Sequence, residues 1–202
     1  MRWTPRHWDD IGLALLQHVT LVGAALLLAG AIAIPLGAFV ARRGWLRPAA
    51  LGTASVLYSI PSLALFALLL PWLGLGFAPA LVALASYAVP LLLRAVVAGL
   101  RGVPASVLEA ADGMGLTARQ RLWRVEWPLA LPSLLGGLRL AVVTLVSATT
   151  VAAYINAGGL GTLILTGLDQ GHTEKILVGA ALVCALALAC DLVLAQAQRR
   201  LA

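Results

Sequence analysis

Residues 48–93 read PAALGTASVLYSIPSLALFALLLPWLGLGFAPALVALASYAVPLLL, without one charged side chain. A membrane-crossing helix needs about 20 apolar residues, so this run has room for two crossings. Similar runs flank it. Ile11 to Ala41 holds only His18 as a titratable group, Leu140 to Leu168 is uncharged, and Ile176 to Ala197 is interrupted only by Asp191. Across the chain 61% of residues are hydrophobic, 11% are charged, and mean hydropathy is +0.97. A soluble domain averages about 25% charged residues, so the composition belongs to a polytopic membrane protein.

The spacing predicts five spans, near 16–40, 50–70, 78–99, 132–154 and 175–196, with a polar insert over 101–131 and the whole chain, 1–202, as a single transmembrane domain. Arg2 and Arg6 precede the first apolar run as they would in a signal peptide. That run exceeds the roughly 7–15 residues of a cleavable core, so it reads as a retained span. Span 2 is expected to stop at Pro71-Trp72. The net charge of +6 lies between spans, where it sets orientation and meets lipid headgroups rather than nucleic acid. With the N-terminus outside, the inner side receives eleven of the 14 Lys and Arg residues and the outer side only Arg2, Arg6 and Lys175. This asymmetry predicts a cytoplasmic insert and a cytoplasmic C-terminus.

The insert has its own grammar. Pro104 suits the first turn of a helix running to about residue 112. Gly113-Met114-Gly115 then breaks it, and Thr117 with Gln120 forms a capping-box pattern for a second short helix. Pro128 marks the end of that helix. Ala118, Leu122 and Val125 share one face, with Arg119, Gln120 and Arg124 elsewhere. Physics alone leaves two uses open. The helix pair lies on headgroups with Trp123 and Trp127 as anchors, or it enters a groove on a soluble partner. Glu109, Asp112 and Glu126 favour the second, since acids gain nothing from anionic lipid.

The pattern Glu109-Ala110-Ala111, Gly115, Val125-x-Trp127-Pro128 resembles the EAA signature of ABC importer permeases. Ile60-Pro61-Ser62-Leu63-Ala64-Leu65, Pro90 to Arg94 and Ala157 to Gly161 resemble segments of the osmoprotectant subfamily, which carries glycine betaine, carnitine and choline. Tyr58-Ser59 and Ala95 depart from that subfamily's usual residues. The resemblance implies an all-α polytopic bundle of about five transmembrane helices with the type I importer (MetI-like) fold, set in a bacterial inner membrane. It also implies a cytoplasmic ATP-binding subunit docked on Glu109, Ala110, Ala111, Gly115, Leu122, Val125 and Pro128. A second permease copy or a related permease, and an extracytoplasmic substrate-binding protein, complete the expected assembly. Methionine or other amino-acid importer permeases share the signature and remain an alternative, as does a membrane scaffold with no pathway of its own.

No Gly-Lys-Ser/Thr ending follows Asn156-Ala157-Gly158-Gly159-Leu160-Gly161-Thr162, so this glycine-rich segment is a turn rather than a phosphate loop. ATP is therefore expected on a partner, with no cofactor, metal or catalytic group in this chain. Cys184 and Cys190, spaced by six, suggest neither a disulfide nor a metal site, and His7, His18 and His172 are scattered. Tyr58, Tyr87 and Tyr154 are candidate pathway residues, because aromatic faces bind quaternary ammonium ions. Asp191 at mid-span needs a partner, and Arg139 and Arg94 both lie at suitable depth. Glu109 is expected to hold the glycine corner.

Overall fold

A computed structural model describes residues 7–201, and these are helical, with no strand among them. α1 (Trp8–Ala41) leads to α2 (Leu46–Ser59), α3 (Ser62–Leu73) and α4 (Phe77–Arg101). The insert holds α5 (Ala105–Gly113) and α6 (Ala118–Arg121), and a π-helical turn, Leu122–Glu126, joins it to α7 (Trp127–Val151). A 3-10 turn, Ala152–Ile155, precedes α8 (Gly161–Asp169) and α9 (Thr173–Leu201). α1, α4, α7 and α9 are each long and apolar enough to cross a membrane.

Three of the expected spans need correction. The span expected at 50–70 is not one helix: α2 and α3 meet at 92° across Ile60-Pro61. Pro61 lacks the N–H that would continue α2, and it forces the residue before it into extended backbone, where Ile60 lies at ψ 126°. Pro71 does not stop the segment, which continues to Leu73. At the other boundary, Pro128 ends no helix and Pro132 begins none. Residues Ala118–Ile155 run as one continuous helical rod, with Pro128 in the first turn of α7. The π turn before it closes on the Trp127 N–H to the Leu122 carbonyl. That wider turn relieves the clash a proline ring makes with the carbonyl four residues back. The first span also starts earlier than residue 16, at Trp8.

Contacts between the ends of helices fix the topology. Arg42, just past α1, donates to Glu126 at the foot of α7, so the end of α1 lies with the insert. At the opposite face Gly76, ahead of α4, donates to Ile155 beyond α7, and Leu160 donates to His18 near the start of α1. The chain therefore leaves the insert face after α1 and reaches the far face before α4. The bent α2–α3 pair makes that passage and is a broken span, giving five crossings. α9 returns to the insert face, where Gln198 donates to the Pro132 carbonyl.

α4 is the buried centre. Its Ala80, Ala83, Leu84 and Ala88 are almost wholly covered, with α1 and α7 on either side. Small residues let these backbones approach, as in other membrane bundles. A Cβ on Gly37 of α1 would sit 2.6 Å from Val96, and one on Gly137 of α7 would overlap Ala95.

Candidate functional site: the insert corner and the cavity at the broken span

α5 starts at Ala105, and Pro104 stands just before it at the N-cap instead of occupying its first turn. The helix ends in a left-handed corner. Gly115 sits at φ +76°, its N–H reaches the Asp112 carbonyl at 2.9 Å, and the Leu116 N–H reaches Ala111 at 3.2 Å. Thr117 then makes the capping box with Gln120 that opens α6. Of the expected docking residues, Glu109, Ala110 and Gly115 are exposed, as is Pro128, while Ala111 is buried inside the corner. Leu122 and Val125 are half-buried, and Leu122 packs with Trp127 against Val96, Leu100 and Ala130. Trp123, 62% exposed, lies over Trp127 with ring centroids 6.0 Å apart.

Glu109 does not hold the corner. It has no hydrogen-bond or ion-pair partner among the described residues. Asp112 takes that role, one turn on, through two bonds of 2.6 and 2.7 Å from Arg121. Arg121 also donates to Glu126 at 3.1 Å, and Glu126, 6% exposed, accepts from Arg42 at the same distance. One buried carboxylate thus joins the foot of α1, the corner and the foot of α7. The Asp112 carboxylate, and Glu126 after it, holds the Arg121 guanidinium above its ordinary range.

A second feature sits at the α2–α3 break. The Ile60 carbonyl has lost its helical partner there, and the Tyr87 hydroxyl donates to it. Tyr58 meets Tyr87 edge-on, with centroids 6.0 Å apart and planes at 77°. Both line an open cavity of about 630 Å³ together with Ser59, Ser62, Thr144 and Ser147. Tyr154 does not line it; it lies in the 3-10 turn, 60% exposed.

The two arginines proposed for Asp191 are separated. Arg139 grips it with two bonds of 2.9 and 3.0 Å, and a further bond of 3.0 Å reaches Gln198. Arg94 instead donates to the Ser55 hydroxyl at 2.7 Å on α2.

His18 is a structural centre that the sequence did not single out. Its ring is fully buried between the Val146 carbonyl, 3.1 Å from Nε2, and the Leu160 N–H, 3.2 Å from Nδ1. The N–H must donate into Nδ1, so the proton resides on Nε2 and donates to Val146. Beside it Gln17 accepts the Gly159 N–H at 3.0 Å. The glycine-rich segment thus covers the N-terminal half of α1, at the face opposite the insert. Its only sequence signal was a histidine and a glutamine paired inside an apolar run.

Known proteins resemble this chain along most of its length. The chain is 40% identical over 187 residues to the osmoprotectant import permease protein OsmW of Salmonella typhimurium, covering 90% of this chain and 87% of the relative. It is 38% identical over 185 residues to the choline transport system permease protein OpuBB of Bacillus subtilis, covering 92% and 85%. An inward-facing structure of the MetNI methionine ABC transporter superposes with a TM-score of 0.86 over 98% of both chains; at 22% identity this speaks for the fold alone. Residues 33–202 match the family described as binding-protein-dependent transport system inner membrane component, and this multi-pass chain belongs to that family of transporter permeases.

Proposed function

We propose that this chain is the membrane-spanning subunit of an ATP-binding-cassette importer for osmoprotectant quaternary amines, the class of glycine betaine, carnitine and choline. The observation that carries the reading is the 40% identity to an osmoprotectant import permease along nine-tenths of the chain. In this reading the insert corner is the surface on which a cytoplasmic ATP-binding subunit docks and hydrolyses ATP. An extracytoplasmic binding protein delivers solute to the opposite face, and a second permease completes the pathway. The insert face then meets the cytoplasm, as the positive-inside rule requires, with the N-terminal end of α1 outside. An exposed, rigidly built corner suits docking better than a headgroup anchor, because Glu109, exposed and without a partner among the described residues, gains nothing from anionic lipid.

The test is uptake by proteoliposomes holding this chain, its ATP-binding subunit and its binding protein. Labelled glycine betaine, carnitine or choline should accumulate only with internal ATP and binding protein. Accumulation of methionine, uncompeted by any of the three, would move the chain to the amino-acid importers. ATP-independent assembly with no uptake would leave a scaffold.

A further inference from the structure

Arg94 poses a problem that its neighbours do not solve. It lies about 10 Å along α4 from the helix end at Arg101, within the apolar span. An arginine at such depth faces a cavity or a partner, because desolvating its charge is costly. Asp191, the mid-span acid among the described residues, is occupied by Arg139. Among the described residues Arg94 has only the Ser55 hydroxyl, and its side chain remains exposed. A neutral hydroxyl offers no counter-charge, so no acid among the described residues balances Arg94.

The side chains around Arg94 are specific. Ser55, Tyr58 and Ser59 lie three and four residues apart on α2 and share one face. Tyr58 is thus one turn, about 4.5 Å of rise, from the hydroxyl that the Arg94 guanidinium touches. Tyr58 and Ser59 line the cavity at the break, whose volume lies within the roughly 300–1,000 Å³ usual for small-ligand sites. Tyr87 is seven residues before Arg94 on α4, hence on the same face, and spends its hydroxyl on the Ile60 carbonyl. The Tyr58 ring, held edge-on by Tyr87, is the aromatic surface left for a cation.

We propose that this cavity takes a compact zwitterion in transit, its quaternary ammonium against the Tyr58 ring and its carboxylate on Arg94. Arg94 stands beside the lining residues, not among them, and the Ser55 hydroxyl it touches is one helical turn from Tyr58, so an occupant bridging the two carries its opposite charges a few bonds apart. The inference rests on the quaternary-amine reading above and adds to it a solute contact made by this chain, one that separates carboxylated amines from choline.

A protection assay on the assembled transporter in nanodiscs tests it. With Cys184 and Cys190 replaced by Ser, Ser62→Cys places a reporter thiol on the cavity wall. Glycine betaine should slow maleimide labelling of the reporter at least threefold, and choline at equal concentration should not. Arg94→Gln should abolish the protection and Arg94→Lys should keep part of it. Labelling without solute, at the parent rate and with the ATP-binding subunit still bound, shows that each variant is assembled. Equal protection by choline and betaine, protection surviving Arg94→Gln, or no protection at all would overturn the proposal. So would labelling that responds only to anionic lipid, since Arg94 would then hold a headgroup phosphate. Uptake by the parent transporter keeps the two readings apart: uptake without protection sinks only this contact, whereas absent uptake of all three amines sinks the importer assignment itself.

Discussion

Replacing Gly115 isolates one variable of the corner, its backbone angle. The residue stands at φ +76°, and a Cβ built on it meets no heavy atom within 4 Å. Crowding inside this chain therefore contributes nothing, and strain sets the effect. A residue with a side chain pays about 1–2 kcal/mol in the left-handed region. A β-branched residue is the least suited to it, and Asn, enriched there, is better suited than Ala. Losses of 1–2 kcal/mol change a population ratio by about 5–30-fold. The corner is small and faces solvent, so this is enough to unmake it while leaving the spans in place. Gly115→Asn, Gly115→Ala and Gly115→Val, each expressed with the ATP-binding subunit, should reach normal membrane abundance. Retention of the ATP-binding subunit and solute uptake should fall in that order, with Val near a tenth of parent uptake or below. Asn as damaging as Val would place the constraint on contact with the docked surface and refute the strain argument. Full transport by Val would remove the corner from coupling altogether.

Four further outcomes follow from the same geometry. Glu109→Lys should leave thermal stability within about 0.5 kcal/mol, as for other exposed positions, yet weaken retention of the ATP-binding subunit in pull-down; unchanged retention would free Glu109 of any docking role. Glu126→Gln removes a buried charge shared by Arg42 and Arg121 and should lower stability by about 1–2 kcal/mol, the solvent contact of both arginines keeping the loss modest; an unchanged melting temperature in detergent would contradict this. Asp191→Leu and Arg139→Leu should each reduce membrane abundance on immunoblots, and the double variant should recover much of it, because the pair is then replaced by apolar surface; an additive loss would refute the pairing. His18→Phe strands the buried Leu160 N–H, at about 1–3 kcal/mol, and removes a second bond from the Val146 carbonyl, which keeps its place in α7; it should lower the melting temperature more than Gln17→Ala does.

The insert was legible because its signals are local. A proline, two glycines and a Thr-x-x-Gln box each act within one turn of chain, and the structure places helix, corner and cap where they imply. Pro128 misled for the complementary reason. The stop that a proline imposes is also local, but a π turn upstream can absorb it, and nothing in Leu122–Glu126 announces that turn. The break at Ile60-Pro61 was hidden in a run that stays apolar on both sides of it, so hydropathy shows one span where the backbone makes two helices. Glu109 drew attention as the first residue of the signature, whereas the bond that holds the corner is donated to Asp112 by an arginine nine residues later.

Chain position measures depth along a helix but not the direction in which a side chain points. Asp191 therefore had two arginines at suitable depth, and only the lateral packing of α7 on α9 chose Arg139. The same packing of α4 beside α2 gave Arg94 to Ser55. His18 is the extreme case, since both of its partners lie more than 100 residues away and both are backbone atoms, which any residue supplies. Sidedness is the converse. Lysine and arginine counting needs no lateral information, and it groups the end of α1, the insert and the end of α9. The bonds Arg42–Glu126 and Gln198–Pro132 group the same three from geometry alone. A single helix in place of the bent α2–α3 pair would give the same count and the same grouping, so neither argument could reveal the break that builds the cavity.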